Sequence, residues 1–158
     1  MSLQAWRLVK ARYAAEAFSG EGARLYGGRW NSQGIPMVYT AEHASLSVLE
    51  ILVHLQRSAI LGSYVLIPVS FDDQLVEVIE AADLPRNWRA TPAPASLQQL
   101  GDRWVESGRA PVLKVPSAVL PIEWNYLLNP QHPDFGALVV GRPMHHLLDP
   151  RLAGMKKG

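Results

Sequence analysis

The sequence Gly27-Gly28-Arg29-Trp30-Asn31 combines two glycines, an arginine, a large aromatic residue and an amide in one short stretch. Adjacent glycines let the backbone take positive φ angles and let another group approach it closely. Arg29 presents a planar guanidinium that suits a phosphate or a carboxylate. Trp30 can anchor the loop in a core or stack on a ring, and Asn31 can bond its own backbone or a ligand. The stretch therefore predicts either a ligand-binding loop or a tight turn with a surface arginine and a packed tryptophan.

The composition is that of a globular protein with no strong charge. The 158 residues are 48% hydrophobic, carry a formal net charge of +1 and include no cysteine. A charge this close to zero gives no strong attraction to nucleic acid or to a membrane surface. The lack of cysteine excludes disulfides, thiolate catalysis and cysteine zinc sites, and no apolar run has the length of a signal peptide or a bilayer span. We expect one cytoplasmic domain over residues 1–158, with no direct nucleic-acid partner and no membrane partner.

Hydrophobic periodicity predicts two helices and several strands. Ala44–Arg57 has apolar residues at helical spacing, with Ser45 as its predicted N-cap, and Ser96–Ser107 is a more polar helix that ends before Gly108. Short apolar runs bounded by turn residues predict strands, at Trp6–Val9, Met37–Thr40, Ser63–Phe71, Leu75–Ile79, Pro111–Val115, Ser117–Leu120, Ile122–Leu128 and Met144–Leu148. Strands outnumber helices without regular alternation, which predicts an α+β fold with a mostly antiparallel sheet.

Glu50 lies in the middle of the more apolar helix, where a carboxylate is costly unless it has partners. His54 is four residues further on and shares the same helix face. Glu50 can therefore serve a site, or it can face water and pair with His54. Glu50, His54 and His43 together could also meet a metal, but two histidines eleven residues apart with one glutamate are a weak signal for a metal site. We expect no metal.

Several common catalytic patterns are absent from the sequence. No G-x-x-x-x-G-K-[ST] loop occurs, which argues against a phosphate-loop NTPase. No H-E-x-x-H pair occurs, and Ser117 is not in the G-x-S-x-G elbow of a serine hydrolase.

An ordered series of short motifs resembles the RES domain family. The motifs run from about residue 6 to about residue 150, and residues 72–109 carry no match. They are Trp6-Arg7, Gly20-Glu21-Gly22-Ala23, Gly27-Gly28-Arg29-Trp30-Asn31, Val38-Tyr39-Thr40-Ala41, Leu49-Glu50-Ile51-Leu52-Val53-His54, Val115-Pro116-Ser117, Pro121-Ile122-Glu123-Trp124-Asn125-Tyr126-Leu127-Leu128-Asn129-Pro130 and His132-Pro133-Asp134-Phe135. The arginine, glutamate and serine that name the family correspond to Arg29, Glu50 and Ser117.

The resemblance implies a fold, an activity and a partner. RES proteins are toxins of bacterial toxin–antitoxin pairs and resemble ADP-ribosyltransferases in fold, which implies a split, mostly antiparallel sheet with flanking helices. They act on NAD as a substrate, with no further cofactor. Some degrade NAD and others transfer ADP-ribose to a protein. Their antitoxin carries an Xre-type helix-turn-helix domain, so the resemblance also implies an oligomer formed with the antitoxin.

Cleavage of the nicotinamide–ribose bond needs groups that the matched positions can supply. The reaction passes through a cation resembling an oxocarbenium ion, which Glu50 can stabilise as a poorly screened carboxylate. Arg29 suits the pyrophosphate, and Tyr39 can stack on nicotinamide. Ser117 can orient Glu50 or bond the ribose. Secondary candidates for phosphate or amide contacts are Arg7, Arg12 and Asn125, each of which can instead be structural.

Three hypotheses follow for the function. The first is a toxin that hydrolyses NAD and depletes it in the cell. The second is a toxin that transfers ADP-ribose to a cellular protein, with the same catalytic residues and a different acceptor. The third is a module that binds a nucleotide or an antitoxin without catalysis.

Overall fold

A computed structural model describes residues 1–54, 63–145 and 147–153 of the chain. The strands in this part are β1 (Ser2–Lys10), β2 (Val38–Ala41), β3 (Tyr64–Asp72), β4 (Val76–Val78), β5 (Val112–Pro116), β6 (Trp124–Leu128) and β7 (Val139–Val140). The α-helices are α1 (Glu21–Tyr26), α2 (Ala44–Leu52) and α3 (Ala95–Ser107). Among the described helices, none has the length and apolar character needed to cross a membrane.

The strands form one sheet that is nearly divided in two. The order is β4-β5-β6-β2-β1-β3-β7, and every neighbouring pair is antiparallel except β4 with β5. β1 pairs with β3 along its whole length, whereas it meets β2 only at the pair Trp6↔Ala41. The two halves therefore join at one narrow junction. The prediction of an α+β fold with a mostly antiparallel, split sheet is confirmed.

α3 covers one face of the β5–β6 half of the sheet. Its Leu97 and Trp104 are buried in a cluster with Trp30 of the glycine loop and with Leu113 and Leu127 of the sheet. Adjacent residues of β5 face opposite sides, as the period of a strand requires, so Val112 belongs to the core on the other face. The burial of Trp30 fixes the glycine loop between α3 and the sheet.

α2 packs on the other half of the sheet, close to the junction. Its apolar face lies against the buried side chains of Leu8 in β1 and Leu66 in β3, and is made by Ala44, Val48, Ile51 and Leu52. This packing fixes the rotation of the helix, so it also fixes the direction in which Glu50 projects.

The predicted helices are present with altered ends. α2 begins at Ala44, and His43 is its N-cap residue without a side-chain cap bond. The prediction of Ser45 as N-cap is wrong, because the helix starts before it. The described part of this helix ends at Leu52, and residues 55–57 lie outside the described residues. α3 is confirmed and ends at Gly108, whose φ of 62° is the left-handed cap that glycine favours.

The strand predicted at Ser117–Leu120 is wrong. The Ser117 hydroxyl accepts hydrogen bonds from the backbone N–H groups of Val119 and Leu120, both at 3.2 Å. These bonds fold the segment into a turn, because a serine side chain competes with the sheet for backbone donors. The segment therefore turns away from the strand direction instead of continuing β5.

The chain after β6 also differs from prediction. Of the strand predicted at Met144–Leu148, Met144 makes a single bridge to Leu66, and residue 146 lies outside the described residues. The strand that extends this edge is β7, which was not predicted because a two-residue strand has no detectable periodicity.

Candidate functional site

Glu50 is held by two side chains from distant parts of the sequence. Its Oε2 accepts a hydrogen bond from Ser117 Oγ at 3.0 Å, and its Oε1 accepts one from Asn125 Nδ2 at 2.9 Å. His54 is exposed, and within the described residues no ion pair links it to Glu50. The carboxylate thus has partners other than the histidine on its own helix, and both of its oxygens are oriented.

Burial is the main influence on the charge of Glu50. Loss of contact with water raises the pKa of the Glu50 carboxyl, the hydrogen bonds from Asn125 and Ser117 oppose this, and the nearby Glu123 charge adds to it. The raised pKa means that the neutral form of Glu50 is favoured more strongly in the folded protein than it is in water. The ionised form keeps two donors and little screening, which are the conditions for a strong local field.

Ser117 is buried at the end of β5 and its hydroxyl is fully used. Besides the bond that it donates to Glu50, it accepts from Val119 N and Leu120 N. A hydroxyl has one donor and two acceptor lone pairs. The turn therefore orients the Ser117 hydroxyl so that its hydrogen points at the Glu50 carboxylate.

Asn125 links Glu50 to the junction of the sheet. It lies on β6 opposite Ala41 of β2, and its Nδ2 also donates to Thr40 O at 3.1 Å. Both amide hydrogens of this nitrogen are therefore engaged. Its expected role as a substrate contact stays a prediction, and the structure gives it a definite place beside Glu50.

The glycine loop is tied down by its own amide and by Tyr39. Asn31 is fully buried and its Nδ2 donates to the carbonyl oxygens of Ala23, Ser32 and Ile35. The Tyr39 hydroxyl donates to Asn31 Oδ1 at 2.6 Å and accepts from Trp30 N at 2.9 Å. Burial raises the pKa of the Tyr39 phenol, so it stays protonated.

α3 also contacts the glycine loop. Gln98 Nε2 donates to Gly28 O at 2.9 Å, and Asp102 Oδ1 accepts from Ser32 N at 2.8 Å. A Cβ on Gly101 would lie 1.7 Å from the Trp30 carbonyl oxygen. The helix therefore needs glycine at this position in order to approach the loop.

Arg29 reaches from the loop to a segment that carries no recognised motif. Its Nη1 donates to Trp88 O at 3.0 Å and to Ala90 O at 2.8 Å, and its Nη2 donates to Thr91 Oγ1 at 3.2 Å. Partial burial lowers the pKa of Arg29. Three of the five donors of this guanidinium are thus engaged, which leaves Nε and one hydrogen on Nη2 without a partner among the described residues and available to a ligand.

The two other candidate arginines occupy different environments. Arg7 lies at the junction of the sheet, where Nη1 donates to Tyr39 O at 2.9 Å and Nε donates to Ala17 O at 2.6 Å. Burial lowers its pKa to about 10. Arg12 is exposed, with its guanidinium over the ring of Tyr13. The structure joins Arg7 to the backbone of Tyr39 and shows no contact between Arg12 and the other candidates in the described part.

A polar cluster lies beside Glu50 at the start of α2. His43 Nδ1 is 3.1 Å from Glu123 Oε1 and 3.7 Å from Glu42 Oε1. Together these residues offer ligand atoms that lie within 4.8 Å of one another, so they could hold a metal ion. The metal set considered from sequence was different, since it combined His43 with Glu50 and His54. Trp124 N donates to Glu42, so this carboxylate already has a protein partner.

Comparison with known proteins identifies the family of this chain. Residues 4–149 match the RES domain. The chain belongs to the RES domain family. A relative from Yersinia enterocolitica named Toxin Res is 40% identical over 148 residues, covering 93% of this chain and 97% of the relative. A relative from Sphingobium sp. strain YBL2 named Prs ADP-ribosylating toxin is 36% identical over 157 residues, covering 96% of this chain and 98% of the relative.

A solved structure shares the RES fold seen here. A chain in the crystal structure of the M. tuberculosis MbcT-MbcA toxin-antitoxin complex superposes with a TM-score of 0.76 at 23% sequence identity. The match covers 98% of the present chain and 88% of the other. At this identity the comparison establishes the fold.

In this RES domain the three residues that the resemblance matches to the family's name form two groups. Glu50 and Ser117 share a hydrogen bond, whereas Arg29 lies on the glycine loop and contacts residues 88–91. Sequence reasoning missed that segment because it matches no motif. Sequence reasoning also gave Glu123 no role. Its position two residues before the candidate Asn125 was the signal that could have drawn attention to it.

Proposed function

We propose that this protein is the toxin of a bacterial toxin–antitoxin pair and that it hydrolyses NAD to nicotinamide and ADP-ribose. The names of the RES relatives support the toxin role. The observation that carries the reaction is the Glu50 carboxylate, half-buried and oriented by Ser117 and Asn125. The same proposal places the protein in the cytoplasm, where NAD is abundant, with NAD as substrate and no further cofactor or metal.

Glu50 would act on the ribose that carries nicotinamide. The C1′–N bond breaks with its electron pair on nicotinamide, water adds to C1′, and one proton is released. The developing positive charge on the ribose is stabilised by an ionised carboxylate that is already oriented, which is worth more in a partly desolvated site than in water. Nicotinamide leaves as a neutral molecule from a positively charged nitrogen, so the step requires no general acid.

The glycine loop would hold the rest of the substrate. Arg29 offers two unengaged donors and a positive charge to the pyrophosphate. The Tyr39 hydroxyl is engaged within the loop, so its proposed contribution is the ring face against nicotinamide. Arg7 would support this arrangement through the hydrogen bond that it donates to the backbone carbonyl of Tyr39.

The direct test is nicotinamide release from NAD by the purified protein without lysate. Wild type is compared with Glu50→Gln and with Glu106→Gln, which makes the same change at an exposed position of α3. We expect release by wild type and Glu106→Gln, and a loss of about a hundredfold or more in Glu50→Gln. Equal release by all three proteins would mean that Glu50 is not the reacting carboxylate.

Transfer of ADP-ribose to a protein is the second candidate. It is favoured by one observation, the name Prs ADP-ribosylating toxin of the Sphingobium relative. NAD labelled in the adenylate part would then label a protein band in lysate, with slow nicotinamide release in buffer alone. Tight NAD binding with neither release nor labelling would instead support a module that binds without catalysis.

We also propose an Xre-type helix-turn-helix antitoxin as the partner. The solved structural neighbour belongs to a toxin–antitoxin complex. Co-expression with a cognate Xre-type antitoxin should give a co-purifying complex and relieve growth arrest. Recovery of a non-toxic protein without any partner would contradict this part of the proposal.

A further inference from the structure

The segment from Trp88 to Thr91 is fixed in place from two sides. Arg29 donates hydrogen bonds to Trp88 O, Ala90 O and Thr91 Oγ1. The Trp88 side chain is only 8% exposed and packs in the cluster with Trp30 and Trp104. A surface segment with buried apolar contacts and three guanidinium bonds has a defined backbone path. The residue between the anchored positions, Arg89, therefore projects from a fixed point.

Arg89 lies next to the residues that hold Glu50. Its Nε donates to Ala118 O at 3.0 Å. Ala118 directly follows Ser117, whose hydroxyl bonds Glu50. The guanidinium of Arg89 is thus tied to the same turn that positions the reacting carboxylate.

Most of the Arg89 guanidinium faces solvent. The side chain is exposed, and the bond to Ala118 O is its one hydrogen bond to the described residues. A guanidinium has five N–H donors in a fixed fork, so four donors remain. Arg29 differs, since three of its donors are engaged within the protein. Arg89 is therefore the more available of the two cations.

We propose that Arg89 binds the pyrophosphate of NAD together with Arg29, which also holds the segment that carries Arg89. This inference rests on the proposed action on NAD. In NAD the nearest phosphate is one ribose ring away from the reacting C1′. A cation beside the Ser117–Ala118 turn is therefore close to where that phosphate lies when Glu50 faces the ribose. A planar fork suits two phosphate oxygens better than a point charge does.

The experiment measures binding of ADP-ribose, which keeps the pyrophosphate and does not require turnover. Isothermal calorimetry compares wild type with Arg89→Ala, Arg89→Lys and Arg86→Ala. Arg86 is a matched control, since it is an exposed arginine two residues before Trp88 with no hydrogen bond to the described residues. Melting temperatures are recorded for each variant to confirm folding. The binding curves are repeated at low and high salt.

We expect Arg89→Ala to weaken ADP-ribose binding about tenfold or more and Arg86→Ala to match wild type. Arg89→Lys should give an intermediate Kd, because it keeps the charge and loses the fork. Arg89→Ala should also make the Kd less dependent on salt, an effect that a purely structural role would not produce. A Kd in Arg89→Ala equal to that of Arg86→Ala would overturn the inference.

The outcomes separate this inference from the proposed hydrolysis. If wild type binds ADP-ribose but releases no nicotinamide from NAD, the proposed hydrolysis fails and the Arg89 comparison still decides the inference. If wild type releases nicotinamide and Arg89→Ala binds ADP-ribose normally, the inference alone fails. Absence of ADP-ribose binding by wild type would overturn the inference together with the pyrophosphate site.

Discussion

The Tyr39 hydroxyl occupies the space that a side chain on Gly28 would need. A Cβ at residue 28 would lie 2.6 Å from this hydroxyl and 2.9 Å from Asn31 Oδ1. The second glycine of the loop is therefore required by the packing of a phenol against the backbone. Its need for glycine is steric, and it does not depend on a positive φ angle.

Gly28→Ala should accordingly destabilise the protein. The added methyl must displace the phenol or the loop, and overpacking of this kind costs about 1–3 kcal/mol. Urea denaturation measures the change in the free energy of unfolding. Gly22→Ala is the control, because a Cβ there meets nothing within 4 Å and α1 favours alanine. Equal free energies of unfolding for the two variants would show that the loop accommodates the added methyl group without loss of stability.

Tyr39→Phe should destabilise the protein through the two hydrogen bonds that it removes. The variant keeps the ring but leaves Trp30 N and Asn31 Oδ1 without their partner. Unsatisfied buried groups of this kind cost about 1–3 kcal/mol. Thermal denaturation should show a lower melting temperature than Tyr13→Phe, which removes a hydroxyl from a ring that is 49% exposed. Matching melting temperatures would indicate that water replaces the phenol.

Asn125→Asp should reduce activity and move its pH dependence upwards. The change replaces a donor 2.9 Å from Glu50 by a second carboxylate, and two close carboxylates cannot both be ionised easily. We expect about a hundredfold loss of nicotinamide release near neutral pH and partial recovery at higher pH. Asn125→Ala removes the donor without adding a charge, so its pH profile should shift less. Identical profiles of the two variants would contradict this explanation.

The stability difference between wild type and Glu50→Gln should depend on pH. Burial raises the pKa of Glu50 above its ordinary 4.5 in the folded state. Its contribution to stability is therefore complete below pH 4.5 and is lost as pH rises through the folded-state value. Glu50→Gln lacks this loss, so it should gain stability relative to wild type as pH rises. Urea denaturation at about pH 4 and about pH 8 tests this, and a constant difference would refute it.

The ionisation of Glu50 should also control catalysis. A rise in pH that lowers the stability of the fold should raise the activity. Only the ionised Glu50 can stabilise a positive ribose, so nicotinamide release should rise with pH through the raised pKa of Glu50. Ser117→Ala removes a bond to the charged form and should move this midpoint upwards. A midpoint that falls or stays constant in Ser117→Ala would argue against the role of the hydroxyl.

The sequence predicts the parts of this protein that depend on local pattern. The apolar spacing around Glu50 predicts α2, and the short apolar run at Pro111–Val115 predicts the strand that the structure shows as β5. The turn at Ser117 escapes this reasoning, because its segment has strand-like residues and its bend depends on side-chain bonds to Val119 and Leu120. Such a competition between a hydroxyl and a sheet is decided by tertiary structure.

The candidate site shows the same division. Glu50 is recognisable in sequence as a carboxylate in an apolar helix, but its partners are not, because hydrogen bonds across the fold leave no periodic signal. The contacts of Arg29 with Trp88, Ala90 and Thr91 are equally invisible, since they join a motif to a segment without one. The assignments of Arg29, Glu50, Tyr39 and Ser117 to the substrate stay predictions.

During translation, Glu50 is added to the chain well before the two residues that bond its carboxylate. Ser117 follows Glu50 by 67 residues and Asn125 follows it by 75. A nascent chain on the ribosome therefore carries Glu50 without its complete pair of partners until Asn125 of β6 has been made. Because the ordered carboxylate requires β6, truncated products of this gene that stop before Asn125 should be harmless to the cell that translates them.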